Sequence, residues 1–143
     1  TQSRSSAASD VYKRQRIKVR ILNFYMKNVY PAIVLEALEG ISEVKGEKTI
    51  VMDLRELENS VCDYFIITEA QSTTQVSAIS GSIEKRIRQQ CDERAWHIEG
   101  TEQSEWILMD YINIVVHVFQ SESRKFYDIE GLWESGDISK IKD

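Results

Sequence analysis

Aromatic and acidic side chains are concentrated between Glu105 and Trp133, and their chemistry suits binding to another protein. Trp, Tyr and His offer a broad apolar surface with a polar atom, and a nearby carboxylate can accept a charge-assisted hydrogen bond from Lys or Arg. Large aromatic residues often carry most of the binding energy of a protein interface. We predict that the partner-binding residues are Trp106, Asp110, Tyr111, His117, Tyr127, Glu130 and Trp133.

These residues differ in how clearly they point to a contact role. Asp110 and Tyr111 follow an apolar run, where a hairpin tip would be accessible, so we take them as the anchor. Trp106 is equally compatible with the core and with the contact surface. His117 fits either a neutral, half-buried histidine that is hydrogen-bonded locally or a part of the partner surface. Tyr127, Glu130 and Trp133 could bind the partner or close the domain or a dimer.

Catalytic and metal-binding patterns are weak in this chain. The two cysteines and two histidines, Cys62, Cys91, His97 and His117, show no spacing typical of a zinc site. No phosphate-binding loop is present, and no Ser or Cys has a histidine partner that the sequence identifies. We therefore predict no catalytic residues, no cofactor and no metal, and hence a protein that is not an enzyme.

The predicted contact residues need a hairpin and a helix to position them. Trp106–Met109 and Ile114–Phe119 are rich in Ile, Val and aromatic residues, which favours two strands joined by a polar tip. A short helix would then place Phe126, Ile129 and Leu132 on one face. Arg124 and Glu130, six residues apart, are too distant for an i,i+4 pair, so we expect a partner elsewhere.

The upstream chain predicts the rest of one compact domain. Pro31 suits the start of a helix, and Ser72–Gln75 forms a capping box for a second helix that ends near Cys91. Gly81 inside that helix predicts close approach to the sheet. Three further strands are expected at Thr49–Leu54, Tyr64–Thr68 and Trp96–Gly100. The predicted fold class is α/β (mixed α+β), a single domain with a mixed five-stranded sheet and helices packed on it.

Charge is distributed unevenly along the chain. Residues 1–30 contain seven basic residues and one acidic residue, whereas residues 31–143 contain eleven basic and twenty-two acidic ones, so net charges of +6 and −11 give the total of −5. An acidic domain is repelled by phosphate backbones, which favours a basic protein over sequence-specific nucleic acid as the partner. Acidity could alternatively serve only solubility. No apolar run is long enough to span a membrane.

Several short motifs occur together in one order. They are Trp106-x-x-x-Asp110-Tyr111, Val116-His117-Val118-Phe119 and Arg124-x-x-Tyr127-x-x-Glu130-x-Leu132-Trp133, preceded by Val51-x-Asp53, Cys62-Asp63-Tyr64-Phe65-x-Ile67, Gln75-Val76-x-Ala78-Ile79 and Glu99-Gly100. This series resembles the ribosomal silencing factor family (RsfS, also called Iojap) over roughly Val29 to Asp137. The family usually has Gly after the Asp-Tyr pair, where this chain has Ile112, so we expect the tip to turn differently.

The resemblance implies a function and a partner. Such proteins bind a basic protein of the large ribosomal subunit, ribosomal protein fourteen of that subunit, block association with the small subunit and so repress translation. Relatives in eukaryotic organelles act in ribosome assembly. The resemblance implies a bacterial cytoplasmic location, or a mitochondrial or chloroplast one if the N-terminal segment is a native transit peptide. Self-association as a homodimer is compatible with it.

The resemblance also implies the limits of the domain and an alternative function. Residues 1–25 do not match the family and are interpreted as vector-derived or disordered, whereas 26–143 form the family-like domain. The fold that the resemblance implies is related to nucleotidyltransferases, so a degenerate nucleotide-binding domain is the alternative. However, Gly81-Ser82 lies within a predicted helix, and no Asp-x-Asp follows it to hold two Mg²⁺ ions. Asp53 and Asp63 are better explained as structural residues.

Overall fold

A computed structural model describes residues 30–58, 60–132 and 137–141 of the chain. Four helices are described: α1 (Ala32–Glu43), α2 (Thr73–Cys91), α3 (Ser121–Tyr127) and α4 (Ile129–Leu132). The strands are β1 (Glu47–Asp53), β2 (Tyr64–Ala70), β3 (His97–Glu99), β4 (Trp106–Asp110), β5 (Ile114–Gln120) and β6 (Asp137–Lys140). The N-terminal segment 1–25 and Trp133, for which predictions were made, lie outside the described residues.

The six strands form one sheet in the order β3-β4-β5-β2-β1-β6. β2 and β5 pair in parallel, while the remaining neighbours are antiparallel, so the prediction of a single mixed sheet is confirmed. The predicted number of five strands is wrong, because β6 adds to β1 at the edge. β6 holds one large apolar residue, Ile138, in four positions and therefore gives too weak an alternating signal to be recognised.

Helices α1 and α2 cover one face of the sheet and enclose the larger apolar cluster. The hydroxyl of Ser72 accepts a hydrogen bond from the backbone N–H of Gln75 at 3.2 Å, which confirms the predicted helix start. The glycine that permits close packing is Gly40 on α1, because a Cβ atom there would lie 2.9 Å from Cα of Ile83. The prediction for Gly81 is wrong, since a Cβ atom there would meet nothing within 4 Å. None of the described helices combines the length and apolarity needed to span a bilayer.

The opposite face of the sheet, here called the open face, carries a smaller apolar cluster. Among the described residues, neither long helix contributes to it, and α4 and the connection between β1 and β2 supply its cover. Trp106 and Leu108 on β4 pack against this cluster but remain only half-buried. Its buried members are Ile50, Met52, Leu54, Cys62, Phe65, Ile67, Val115, Phe119 and Ile129. Because only short segments cover this face of the sheet, aromatic side chains on it remain accessible to a partner.

The predicted single C-terminal helix is interrupted. Asp128 adopts a left-handed conformation with φ of 43°, which ends α3 and separates it from α4. The predicted shared face of Phe126, Ile129 and Leu132 is therefore wrong, because Ile129 is buried whereas the other two are 81% and 76% exposed. Arg124 Nε lies within 2.7 Å of Glu130 Oε1 across the break, so the expectation that these two residues do not pair is wrong.

Candidate functional site

An aromatic cluster on the open face brings together Trp106, His117, Phe119, Phe126 and Tyr127. Trp106 lies directly opposite Phe119 in the β4–β5 pairing, and their rings stack with centroids 4.9 Å apart. The ring of Tyr127, at the end of α3, lies 4.9 Å from that of Trp106, and Phe126 meets Tyr127 edge-on at 5.0 Å. Two strands and one helix thus converge on Trp106.

The outer members of the aromatic cluster are accessible. Tyr127 is 51% exposed and Phe126 is 81% exposed, and Leu132 on α4 adds a third large apolar side chain at 76%. The ring of Tyr127 packs against Trp106 of the sheet, so its exposed face presents apolar area that loses little conformational freedom on binding. This geometry suits a protein contact, and it brings the predicted residues Trp106 and Tyr127 onto one surface.

His117 supports the aromatic cluster from beneath. It is only 4% exposed, and its Nδ1 accepts a hydrogen bond of 3.1 Å from the indole N–H of Trp106. Burial lowers the pKa of His117 to about 4, so the ring is neutral at pH 7 and carries its proton on Nε2. The local interpretation of His117 therefore fits this structure better than direct contact with a partner, although the ring is more deeply buried than predicted.

A shallow groove of about 390 Å³ runs beside Trp106 and Tyr127. Glu102 and Glu105 line it, and both are exposed. Their carboxylates place negative charge at the edge of the aromatic cluster. This combination of apolar rings and carboxylates matches a partner with Lys or Arg side chains, whose aliphatic stems pack on rings while their charged ends meet acids.

At the hairpin tip the two predicted anchor residues have different environments. Tyr111 is 5% exposed and belongs to the core cluster beneath α1 and α2, so the expectation that it is accessible is wrong. Strand alternation explains this, because Tyr111 faces the same side as Ile107 and Met109. Burial, with smaller contributions from Glu84 and Glu93, raises the pKa of Tyr111 to about 12.

Asp110 is half-buried and faces the open side of the sheet. One of its carboxylate oxygens accepts a hydrogen bond of 2.8 Å from the backbone N–H of Ile112, so the side chain stabilises the turn. A change to lysine would remove that bond. The role of Asp110 in partner binding therefore stays a prediction that requires an isosteric change to test.

Ile112 forms the centre of a three-residue γ-turn. The backbone N–H of Asn113 donates to the carbonyl of Tyr111 at 2.9 Å, and Ile112 has φ of 74°. This positive-φ form of the γ-turn is rare and strained, especially for a β-branched residue. The backbone at Ile112 therefore lies in the left-handed region of φ that favours glycine. Glycine is the usual residue at this position in the family that the sequence resembles.

Replacing Ile112 with glycine should raise the free energy of unfolding by about 0.5–1 kcal/mol, because relief of the left-handed strain exceeds the added entropy of the unfolded chain. Ile112 is 63% exposed, so little buried area is lost. Urea denaturation would measure the change. Ile112→Ala is the matched control, since it removes the exposed side chain but keeps Cβ, and an equal gain from alanine would contradict the strain explanation.

Glu130 is half-buried and points to Arg124 rather than freely to solvent. Sequence reasoning did not select Arg124, Phe119 or Phe126 as functional residues. The parity of β5 offers a signal for Phe119, which lies two residues after His117 and faces the same side. No comparable local signal marks the exposed Phe126, because its exposure depends on how the short helix α3 packs against the sheet.

Features that could suggest nucleotide or metal chemistry have structural roles here. The hydroxyl of Ser82 lies within α2 and donates to the carbonyl of Gly40 at 2.8 Å, so it serves helix packing. Asp53 accepts hydrogen bonds from the guanidinium of Arg55, which lowers the pKa of the carboxyl group. Within the described part of the chain, no group of three or more His, Cys, Asp or Glu residues could hold a metal ion.

Comparisons with known proteins agree on one family. The family model described as ribosomal silencing factor during starvation (RsfS) matches residues 28–143. The chain is 32% identical to the ribosomal silencing factor RsfS of Halalkalibacterium halodurans over 74% of its length and 87% of the relative.

Two further comparisons add an organelle relative and a solved structure. The mouse protein named mitochondrial assembly of ribosomal large subunit protein 1 is 30% identical over 50% of this chain and 32% of its own. A crystal structure of a protein from Chromobacterium violaceum superposes with a TM-score of 0.68 at 31% identity, covering 78% of this chain and 91% of that one.

Proposed function

This chain belongs to the ribosomal silencing factor family, and we propose that it binds the large ribosomal subunit and keeps the small subunit from joining it. The observation that carries this proposal is the half-exposed aromatic cluster around Trp106 and Tyr127 on the open face of the sheet. It offers a rigid apolar contact on a face that the two long helices leave free. Translation would be repressed because protein synthesis requires the two subunits to be joined.

The proposed partner is a basic protein of the large subunit, ribosomal protein fourteen. Residues 31–143 contain twenty-two acidic and eleven basic residues, so the domain attracts basic surfaces from a distance. Glu102 and Glu105 carry this charge to the edge of the aromatic cluster. Complementary charge speeds association and favours the correct orientation. The aromatic residues, once the partner covers them, supply most of the affinity.

The proposed mechanism is steric occlusion and requires no chemical step. A specific interface of ordinary size, about 1,600 Å² in total, holds two proteins together and can cover a surface that the small subunit needs. This mechanism needs a rigid contact surface rather than an alignment of reacting groups. The stacked rings and the hydrogen bond from Trp106 to His117 supply that rigidity.

Charge reversal at the groove tests the electrostatic part of the proposal. Glu105→Lys should lower the association rate constant with large subunits by about threefold to tenfold at low salt, because exposed charges steer the encounter. The difference from wild type should shrink in high salt, where such charges are screened. Glu84→Lys, an equal charge change at an exposed position on α2, is the matched control. Equal slowing by both variants would show that net charge, and not the groove, controls the rate.

Co-sedimentation with isolated large subunits tests binding itself. Wild-type chain should pellet with large subunits and not with small subunits. Recovery of the chain only in the supernatant at micromolar concentrations of both components would contradict the proposal.

A role in assembly of the large subunit is the second candidate function. It is favoured by the name of the mouse relative, which refers to assembly of the mitochondrial large subunit. Cells that lack this chain separate the two functions: a silencing role predicts mature large subunits with excess joined ribosomes during starvation. An assembly role predicts accumulation of immature large-subunit precursors during growth.

A further inference from the structure

Arg124 is a buried cation that pairs with groups from three separate elements. It is 8% exposed. Its Nη1 donates to Glu69 on β2 at 3.1 Å and to the carbonyl of Lys48 on β1 at 2.6 Å, and its Nε donates to Glu130 on α4 at 2.7 Å. Glu69 is itself only 5% exposed. The guanidinium therefore ties α3 and α4 to two strands.

The connection reaches an irregular point of the sheet. The register between β1 and β2 shifts between Glu47 and Ile50, and Lys48, within this irregular stretch, has φ of 48°. The carbonyl of Lys48 accepts from Arg124 at this bulge. Bulges re-aim backbone groups away from the regular ladder. Here the bulge provides an acceptor for a side chain of the α3 helix.

Arg124 also lies close to the accessible part of the aromatic cluster. Tyr127 follows it by three residues on α3, and the carbonyl of Arg124 accepts from the backbone N–H of Asp128, where the helix breaks. α3 has seven residues and α4 has four, so neither is stable by itself without tertiary anchors. Anchoring the guanidinium therefore determines where Tyr127 and Phe126 lie relative to Trp106.

We propose that Arg124 is a positioning residue for the partner surface: it holds α3 and α4 so that the ring of Tyr127 packs against Trp106. The inference rests on the proposed function, because it assigns Arg124 a role at the same surface without contact with the partner. Buried ion pairs are weak contributors to net stability, but they specify one arrangement of the groups around them in some proteins. The three directional donors of Arg124 specify the arrangement of two short helices.

A paired substitution separates positioning from stability. Arg124→Met alone leaves the Glu69 carboxylate buried without its cation, so it should unfold more easily. Arg124→Met combined with Glu69→Met removes both buried charges with side chains of similar volume, and should recover most of the wild-type melting temperature. If Arg124 positions the surface, this folded double variant still binds large subunits at least tenfold more weakly than wild type.

A structural measurement makes the test independent of ribosome binding. The ring current of Trp106 should shift the aromatic NMR signals of Tyr127 in the wild-type chain, since the rings lie 4.9 Å apart. In the double variant these signals should move toward the values of a tyrosine that no tryptophan ring contacts. Arg86→Met is the matched control, because Arg86 is a partly exposed arginine paired with Glu36 and Glu43 across α1 and α2. It should change neither the Tyr127 signals nor binding.

The outcomes distinguish the two proposals. A stable double variant with wild-type Tyr127 signals or wild-type binding would overturn the positioning role. If the double variant does not fold, Arg124→Lys decides instead, because lysine keeps the buried positive charge but cannot donate to Glu69, Glu130 and the carbonyl of Lys48 in the fixed geometry of a guanidinium. Unchanged Tyr127 signals in a folded Arg124→Lys variant would also overturn the inference. If wild-type chain does not bind large subunits, the proposed function fails while the NMR comparison still decides the role of Arg124.

Discussion

Replacing Tyr127 with alanine should weaken binding to large ribosomal subunits by about 2 kcal/mol, or roughly thirtyfold in affinity, the scale of an interface hot spot. Tyr127 is half-exposed and rests on Trp106, so it would bury its outer face against a partner while its inner face is already ordered. The folded state should change little, because about half of the side chain already lies in solvent. Binding would be measured by co-sedimentation over a concentration series, with circular dichroism of the variant as the test of folding.

Two controls define what a loss of binding by Tyr127→Ala means. Tyr127→Phe keeps the ring and should retain most of the affinity if the apolar area of the ring is the main contribution. Trp96→Ala removes another large exposed aromatic side chain, 76% exposed, that lies outside the aromatic cluster. Binding equal to wild type in Tyr127→Ala, or an equal loss in Trp96→Ala, would show that the aromatic cluster is not the contact surface.

Acid should destabilise the chain through His117 by about 3 kcal/mol between pH 7 and pH 4, the free energy that corresponds to its pKa shift. Its ordinary pKa of 6.5 is lowered in the folded state to about 4 by burial. The unfolded chain therefore binds a proton more readily than the folded chain. The contribution of neutral His117 to the free energy of unfolding is present in full above pH 6.5 and is lost progressively as the pH falls toward 4.

His117→Asn isolates this contribution from the carboxylates that titrate over the same range. Asparagine can offer an acceptor to the indole N–H of Trp106 but does not ionise. The free energy of unfolding, from urea denaturation at a series of pH values, should fall less steeply in the variant than in wild type. Parallel pH profiles of the two proteins would contradict the assignment of a buried neutral His117.

Local patterns were sufficient to predict the hairpin and both long helices. The runs around Leu108 and Val116 show the composition of buried strands, and Ser72 marks the start of α2 by its capping chemistry. Family resemblance then located the same hairpin as the important region. Each of these signals depends on residues that lie close together in the sequence.

The incorrect predictions concern interactions between distant residues or single backbone angles. Arg124 meets Glu69 and Lys48 across 55 and 76 residues, a proximity that no local spacing reveals. The break at Asp128 depends on one residue in a left-handed conformation, which Asp tolerates but does not require. Tyr111 is a different case, because a local pattern indicates its burial. It lies two residues after the buried Met109, so a predicted strand extended to Tyr111 would place both side chains on the same face.

Two kinds of interaction therefore form the site. Trp106, His117 and Phe119 are arranged by strand pairing, which the sequence predicts through alternation. Tyr127 reaches them from the short helix α3, whose Arg124 bonds to groups that are distant in sequence. A prediction from sequence could name the aromatic residues but not the surface that they form together.

Subunit joining measured on a density gradient is the most direct test of the proposed silencing function. Separated large and small subunits are mixed at a magnesium concentration that favours joining, with and without an excess of the chain, and the joined ribosomes are quantified. We predict that wild-type chain shifts the profile from joined ribosomes to free subunits, with the chain in the large-subunit fractions, and that Tyr127→Ala leaves joining nearly intact. Undiminished joining in the presence of wild-type chain bound to large subunits would contradict the account.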